Sequence, residues 1–435
     1  MSSEWQLTRL SALGNFDRGK SKHRPRDAAH LYGGPYPFIQ TGDVTAAEGR
    51  ITNYRQTYSA SGLAQSKLWP AKTLCITIAA NIAETALLTF PACFPDSVVG
   101  FTADPQKADV RFVEYLFRAF RDSVKRRAYG SVQENINLEV LRDLAFPVPG
   151  LEEQVKIADF LTLIDDRIAL LRETNSTLEA IAQALFKSWF VDFDPVRAKA
   201  EDRQPEGMDA TIAALFPDSF EESELSLVPK GWRVGTVEDL CSHITNGGTP
   251  SRARKDFWDG GSIPWFKTGE FCDGFLLEPS ERITEGGVNG SSVKVLPRDA
   301  VLMAIYAAPT VGRLGVLTEP STFNQACTGM VAKDFVGPWF LFLTLFFGRD
   351  WFNSRANGAA QQNISKAIVA GYSVVIPDTR VLSAFNELAD VLFSKLRAGA
   401  EQAQTLTQLR DTLLPRLISG QLRLPEAEAL LEEAL

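Results

Sequence analysis

The most explicit chemical spacing in the chain is Gly14-Asn15-Phe16-Asp17-Arg18-Gly19-Lys20-Ser21, which satisfies GxxxxGK[ST], the loop that cradles nucleotide phosphates. That chemistry needs a helix directly after the loop, so that its amides and dipole point at the phosphates. The chain continues instead with His23-Arg24-Pro25-Arg26 and then Gly33-Gly34-Pro35, a poor start for a helix. Nucleotide hydrolysis is therefore a minor alternative. No [DNS]PP[FY] stretch exists to hold a flipped adenine for methylation, and neither Asp96 nor Asp218 is followed by the acidic-x-Lys element of a common nuclease site. His23, His30 and His243 form no HxH or HxxxH pair, which argues against a metal centre. The chain reads as one that binds without performing catalysis.

Two other groups of residues fit recognition of a polyanion. Arg18, Lys20, Lys22, His23, Arg24 and Arg26 crowd one loop-like stretch, and Arg252, Arg254 and Lys255 follow Gly247-Gly248-Thr249-Pro250 further on. Lysines and arginines on loops beside glycine suit phosphate contacts, although a solvated surface loop has the same composition. Gln40-Thr41 and Lys267-Thr268 form a second matched pair. Gln133 and Asn135, like Gln361, Gln362 and Asn363, sit in glycine-started loops. Asn and Gln can bind adenine through two hydrogen bonds, as Lys or Arg can guanine. Helix capping explains Asn135 and Asn363 equally well.

These groups recur because the chain is duplicated. Phe38-Ile39-Gln40-Thr41-Gly42-Asp43 is answered by Trp265-Phe266-Lys267-Thr268-Gly269-Glu270, and Leu68-Trp69-Pro70 by Val295-Leu296-Pro297, each 227 residues on. Gly130 to Ile136 meets Gly358 to Ile364, and Phe146-Pro147-Val148-Pro149 meets Val374-Val375-Ile376-Pro377, at an offset of 228. A period this long marks a duplicated domain rather than a solenoid repeat. Unequal side chains at matched places, such as Gln40 against Lys267, are what two different target sequences would require.

Composition agrees with packed domains: 435 residues and 45% hydrophobic content are ample for several cores. The most apolar run, 339–347, is too short for a bilayer span and reads as a buried helix or strand. With no charged-then-apolar leader, the chain reads as soluble and cytoplasmic. Five cysteines without a CxxC pair read as reduced thiols. The acidic pI of about 5.2 argues against nucleic acid only in bulk. Residues 1–150 hold 18 Lys+Arg against 14 Asp+Glu, whereas 151–230 hold 8 against 17. The acidity is concentrated outside the repeated domains.

Each repeat runs into a long helix. From 151 to about 190 the apolar residues fall on two heptad rows, Ile157, Ile164, Leu171, Leu178, Leu185 and Leu161, Ile168, Asn175, Ala182, Trp189. The rows return 228 residues later as Phe385, Leu392, Gly399, Leu406, Leu413 and Ala389, Leu396, Ala403, Arg410, Leu417. Gly399 and Arg410 interrupt this second set, and Gly420 is placed to end it. A 40-residue helix spans roughly 60 Å, so an antiparallel pair would make a rigid strut with one repeat at each end. The alternative is two amphipathic helices that each pack on their own domain. Residues 192–230 read as a polar connector with one short helix near 211–215.

The run from Leu151-Glu152-Glu153-Gln154 through Lys187-Ser188-Trp189-Phe190-Val191-Asp192-Phe193-Asp194-Pro195 resembles the central conserved region of the specificity subunit of type I restriction-modification enzymes. So do Ile263 to Glu270, the Gly247-Gly248-Thr249-Pro250 loop, and Asn363-Ile364-Ser365 before Val375-Ile376-Pro377. The resemblance covers nearly the whole chain, in the order recognition domain, helix, recognition domain, helix. It departs from the pattern at 20–30, where an insert replaces the short Gly-Thr-Pro loop. The resemblance implies an α+β fold in which two target-recognition domains are separated by two long antiparallel coiled-coil helices with pseudo-two-fold symmetry. The corresponding segments are 1–150, 231–378 (recognition), 151–191, 379–420 (helices), 192–230 (linker) and 421–435 (tail). It implies a reader of split double-stranded DNA that docks two methyltransferase subunits and motor-nuclease subunits. S-adenosylmethionine, ATP and Mg would belong to those partners and no cofactor to this chain. The alternatives are a coiled-coil adaptor that binds proteins alone, and the recognition module of a related modification enzyme without a motor.

Overall fold

The computed structural model describes residues 5–23, 25–79, 81–129, 138–306, 310–356 and 363–434. It divides into two compact units, one of Met1–Leu170 with Gln402–Leu435 and one of Leu171–Glu401. Each is built on a five-stranded sheet. In the first unit the strand order is Gly14–Arg18, Val98–Ala103, Leu74–Thr77, Thr85–Leu88 and Arg50–Ile51. In the second it is Cys241–Asn246, Cys327–Ala332, Val301–Ala304, Leu314–Leu317 and Gly274–Leu276. Both sheets are antiparallel except for the last pair, which is parallel in each (Arg50 beside Leu87, Gly274 beside Gly315). The repeat seen in the sequence is thus a repeat of topology.

The central strands are buried along their whole length, as their unbroken apolar runs Leu-Cys-Ile-Thr and Val-Leu-Met-Ala require. A helix follows the sheet in both units, Val110–Tyr129 in one and Pro338–Phe347 in the other. Residues 339–347 are therefore helical. The helix opens at Pro338, whose fixed φ suits the first turn, after Gly337 at φ 75°. Each unit also carries a small antiparallel pair, Tyr32–Phe38 with Gln56–Tyr58 and Ile263–Phe266 with Glu281–Ile283.

The two heptad segments are single helices, Leu151–Phe186 and Thr379–Ile418, the first continuing into a π-helical turn at Lys187–Val191. Gly420, at φ 75°, ends the second as its sequence suggests. In the first unit Ile157, Leu161, Ile164, Ile168, Leu406, Leu413 and Leu417 are buried. In the second, Leu396 and Trp189 are buried, Leu178, Leu185 and Leu392 pack against the core, and Leu171 is half-buried. There the helix segments run antiparallel, with Phe186 and Trp189 against Phe385 and Asn175 against Leu396 and Gly399.

The glycine and the asparagine that look like flaws in the seam are one device. Asn175 Nδ2 donates to the Leu396 carbonyl at 3.0 Å, and a Cβ on Gly399 would lie 2.4 Å from Asn175 Oδ1. Gly399 thus makes room for the amide. Replacing Gly399 by leucine should destabilise the chain by about 1–3 kcal/mol through overpacking, despite leucine's better helix propensity. Adding Asn175→Ala should recover part of the loss in denaturant unfolding, and no recovery would show that the two positions are uncoupled.

Residues 192–230 are more ordered than a polar connector with one short helix. They form the helices Asp194–Ala200 and Ala210–Ala213 and a hairpin, Phe220–Ser223 with Ser226–Pro229. Val196, Phe216 and Val228 are buried, and the Trp189 and Phe216 rings meet edge-on at 5.0 Å. Pro195 sits in the first helical turn, where its missing N–H costs nothing.

Candidate nucleic-acid interface

The loop of the phosphate-binding match does a different job from the one its pattern suggests. Gly19 continues the first sheet strand and donates to the Val98 carbonyl at 2.9 Å, and a Cβ there would lie 2.2 Å from the Pro95 carbonyl oxygen. The Lys20 amide is already committed to the Phe94 carbonyl at 3.0 Å, and Ser21 is buried. The next helical residues are only a 3-10 turn at Ala29–Leu31. Gly247 repeats the arrangement, donating to Cys327 O at 3.1 Å, with a Cβ clashing at 2.3 Å with the Phe323 and Asn324 carbonyls. Both glycines allow a close backbone approach at the same sheet edge, and the lysine after the first is incidental to it.

The basic residues of the first unit divide by partner. Arg26 is held by both oxygens of Asp96 at 2.9 and 3.0 Å, whereas Lys20 and Lys22 are exposed and in no ion pair among the described residues. His23 packs edge-on against His30 at 4.9 Å. Arg24, Gln133, Asn135, Gln361 and Gln362 lie outside the described residues. Lys125, on the helix Val110–Tyr129, is paired with Glu84 at 3.1 Å.

In the second unit the cations are held more tightly. Arg252 forms a two-pronged ion pair with Glu281 and lies 3.7 Å over the Trp258 ring. Lys267 Nζ reaches the same carboxylate at 2.9 Å. Hydrogen bonds from Arg252, then from Lys267, pull the Glu281 carboxyl down to about 2. Arg254 pairs with Asp256, which lowers that carboxyl too, and Lys255 is exposed. Thr249 is hydrogen-bonded to Gln325.

Gln40 and Lys267 occupy equivalent places. Each precedes a helical turn, Thr41–Ala46 or Thr268–Glu270, and each backbone N–H donates to the acid three residues on, Asp43 at 2.8 Å and Glu270 at 2.7 Å. Thr41 and Thr268 begin those turns, half-exposed. Gln40 Nε2 donates to Gln56 Oε1 at 2.6 Å, the counterpart of the Lys267–Glu281 bridge. Gln56 and Glu281 were not apparent in the sequence because they stand 225 residues apart, off the 227 offset that aligns their neighbours. Their equivalence appears only in the register, Phe38 opposite Gln56 and Trp265 opposite Glu281.

Asn363 is not the cap of the helix that follows it. Ser365 caps the helix Lys366–Ala370, its hydroxyl accepting from Ile368 N at 3.2 Å, while Asn363 lies two residues earlier in a bridge with Tyr306. Among the described residues no His, Cys, Asp or Glu cluster could hold a metal ion, and all five cysteines are free thiols. Burial pushes the Cys241 thiol up to about 12. No helix among the described residues is long and apolar enough to cross a membrane.

Two repeats of one α+β unit, each with a helix-capping loop that presents polar side chains, define a duplicated recognition protein. The sequence matches the type I restriction modification DNA specificity domain over residues 2–180 and again over 229–383, and the chain belongs to that family. It is 29% identical over 364 residues to the HindI specificity subunit of Haemophilus influenzae, spanning 72% of this chain and 78% of that one. It is 22% identical over 440 residues to the MjaIX specificity subunit of Methanocaldococcus jannaschii, spanning 97% and 94%. The fold is that of the S subunit from M. genitalium, with a TM-score of 0.63, 14% identity and 96% of each chain covered.

Proposed function

We propose that this chain is the DNA-reading subunit of a type I restriction-modification assembly, each unit reading one half of a split target. The observation that carries this reading is that one topology and one capping loop occur twice with different side chains at the loop, Gln40 and Gln56 in one copy and Lys267, Glu281 and Arg252 in the other. Identical heads would read a repeated sequence, and these differ in side chains of types that can contact bases. Two methyltransferase subunits and motor-nuclease subunits would supply the chemistry, with S-adenosylmethionine, ATP and Mg bound on those chains. Ile157, Leu161, Ile164, Ile168, Leu396, Leu406, Leu413 and Leu417 of the seam serve to hold this chain together, since they are buried in its own units.

Footprinting of the chain with its methyltransferase partner should protect two short patches of duplex separated by a fixed gap. One continuous patch, or none, would overturn the reading. Lys20 and Lys22, exposed and in no ion pair among the described residues, suit phosphate rather than base contacts. Replacing either by alanine should weaken binding uniformly across sequences and reduce the slope of log K against log salt by about 0.9. An altered target sequence would contradict that assignment.

A further inference from the structure

We infer that the bridged pairs Gln40–Gln56 and Lys267–Glu281, the latter joined by Arg252, each fix one base pair of a half-site, A·T for the first unit and G·C for the second. The inference rests on the proposed reading of split DNA and assigns the readers within it.

Gln56 and Glu281 come from the strand paired with the one that leads into the capping loop, so each reader spans two elements. The backbone at Gln40 is fixed by Asp43 and at Lys267 by Glu270. Side chains so restrained lose little freedom on meeting a ligand.

The groups each pair can still offer are set by the bonds already made. In the first unit, the Gln40 Nε2 bond to Gln56 Oε1 leaves the Gln40 carbonyl as an acceptor and the Gln56 amide as a donor, both on exposed residues. A donor beside an acceptor is the complement of adenine N7 and N6 in the major groove. In the second unit both Glu281 oxygens are occupied, Oε1 by Arg252 and Oε2 by Arg252 and Lys267. Arg252 further lies 3.7 Å over the Trp258 ring. Its remaining N–H groups and those of Lys267 are donors only, which matches the two acceptors of guanine, O6 and N7. Glu281 already accepts three hydrogen bonds from the two cations, so its main role is to position them.

The test is selection of bound duplexes from a pool with randomised half-sites, using the full chain with its methyltransferase partner. The wild-type chain should enrich a split motif containing an A·T pair read by the first unit and a G·C pair read by the second. Gln40→Lys with Gln56→Glu should reduce the A·T preference at one position roughly 5- to 150-fold, the range for losing a two-pronged base contact. The other half-site should be unchanged, which also shows that the variant is folded. Lys267→Gln with Glu281→Gln should do the same to the G·C pair in the other half. An unchanged motif with uniformly weaker binding would assign these residues to phosphate or to the fold and overturn the inference while leaving the split-target reading intact. Failure of the wild-type chain to enrich any split motif would instead remove the reading on which it rests.

Discussion

Replacing Arg118 by alanine is expected to destabilise the first unit by about 3–5 kcal/mol, the usual result of removing one partner from a buried ionic group. Arg118 stands 14% exposed at the centre of four interactions. Its Nε donates to Glu114 at 2.8 Å, one terminal nitrogen to Asp165 at 3.1 Å and the other to the Glu48 carbonyl at 3.1 Å. The guanidinium also lies 5.0 Å over the Tyr115 ring. A Cβ on Gly49, at φ 105°, would sit 1.9 Å from a guanidinium nitrogen, so that glycine is the space the arginine occupies. Asp165 is shared with Arg410 of the second long helix at 2.8 Å and with the Tyr115 hydroxyl at 2.8 Å. Arg410, which breaks a heptad row, is therefore the second cation of this group.

The loss should depend on pH in a defined direction. Burial, the largest influence, holds the Glu114 carboxyl above its ordinary value, partly opposed by Arg118. A carboxyl raised in the folded state binds its proton more tightly there than in the unfolded chain. Its cost is absent below the unfolded value near 4.5, grows as pH rises from there to the raised folded value, and is constant above it. Without Arg118 that cost increases, so the variant should fall further behind the wild type at pH 7 than at pH 5 in urea unfolding. Glu114→Gln with Arg118→Ala should be less destabilised than Arg118→Ala alone, because the amide carries no charge to strand. Equal losses at both pH values would mean that packing, rather than charge, carries the effect.

What was legible in the sequence depended on how far its signal travels along the chain. The duplication, the two long helices, the Gly420 stop and the misfit of the GxxxxGK[ST] match all follow from patterns within a few turns or from a constant offset. The charged group around Arg118 did not, because Asp165 lies 47 residues from Arg118 and 245 from Arg410. Nothing local distinguishes those residues from solvated charges. Asn175 and Gly399 were each visible as exceptions to the heptad, and only the antiparallel pairing shows that one accommodates the other. Of the candidate site, Gln40 and Lys267 were recoverable by alignment of the repeats, whereas Gln56 and Glu281 needed the strand register. The extra order of the connector was not legible because its apolar residues Val196 and Phe216 are spaced by no single period and pack on a core contributed by distant segments.

Phe385→Ala should cost the second unit about 3–5 kcal/mol, the range for deleting a fully buried aromatic ring. Phe385 occupies a heptad position on the second long helix, yet its surroundings are those of a domain centre. It is fully buried, with Phe186, Trp189 and Phe190 of the first long segment at 5.9, 6.1 and 5.1 Å and Phe340 of the sheet-covering helix at 6.3 Å. Several of these rings meet edge-on, a geometry that adds roughly 0.5–1.5 kcal/mol per pair beyond the area buried. A seam residue of a free-standing two-helix coil would contact only the facing helix, and its loss would loosen the pair without disturbing the sheet. Phe385 instead joins both helix segments to Pro338–Phe347, so its removal should lower the cooperative unfolding of the whole second unit. Leu392→Ala, one heptad along and only half-buried, should cost distinctly less. If native-state hydrogen exchange found the two substitutions equally damaging, or found Phe385→Ala opening the helices alone, the helices would be a strut resting on the domain rather than part of its core.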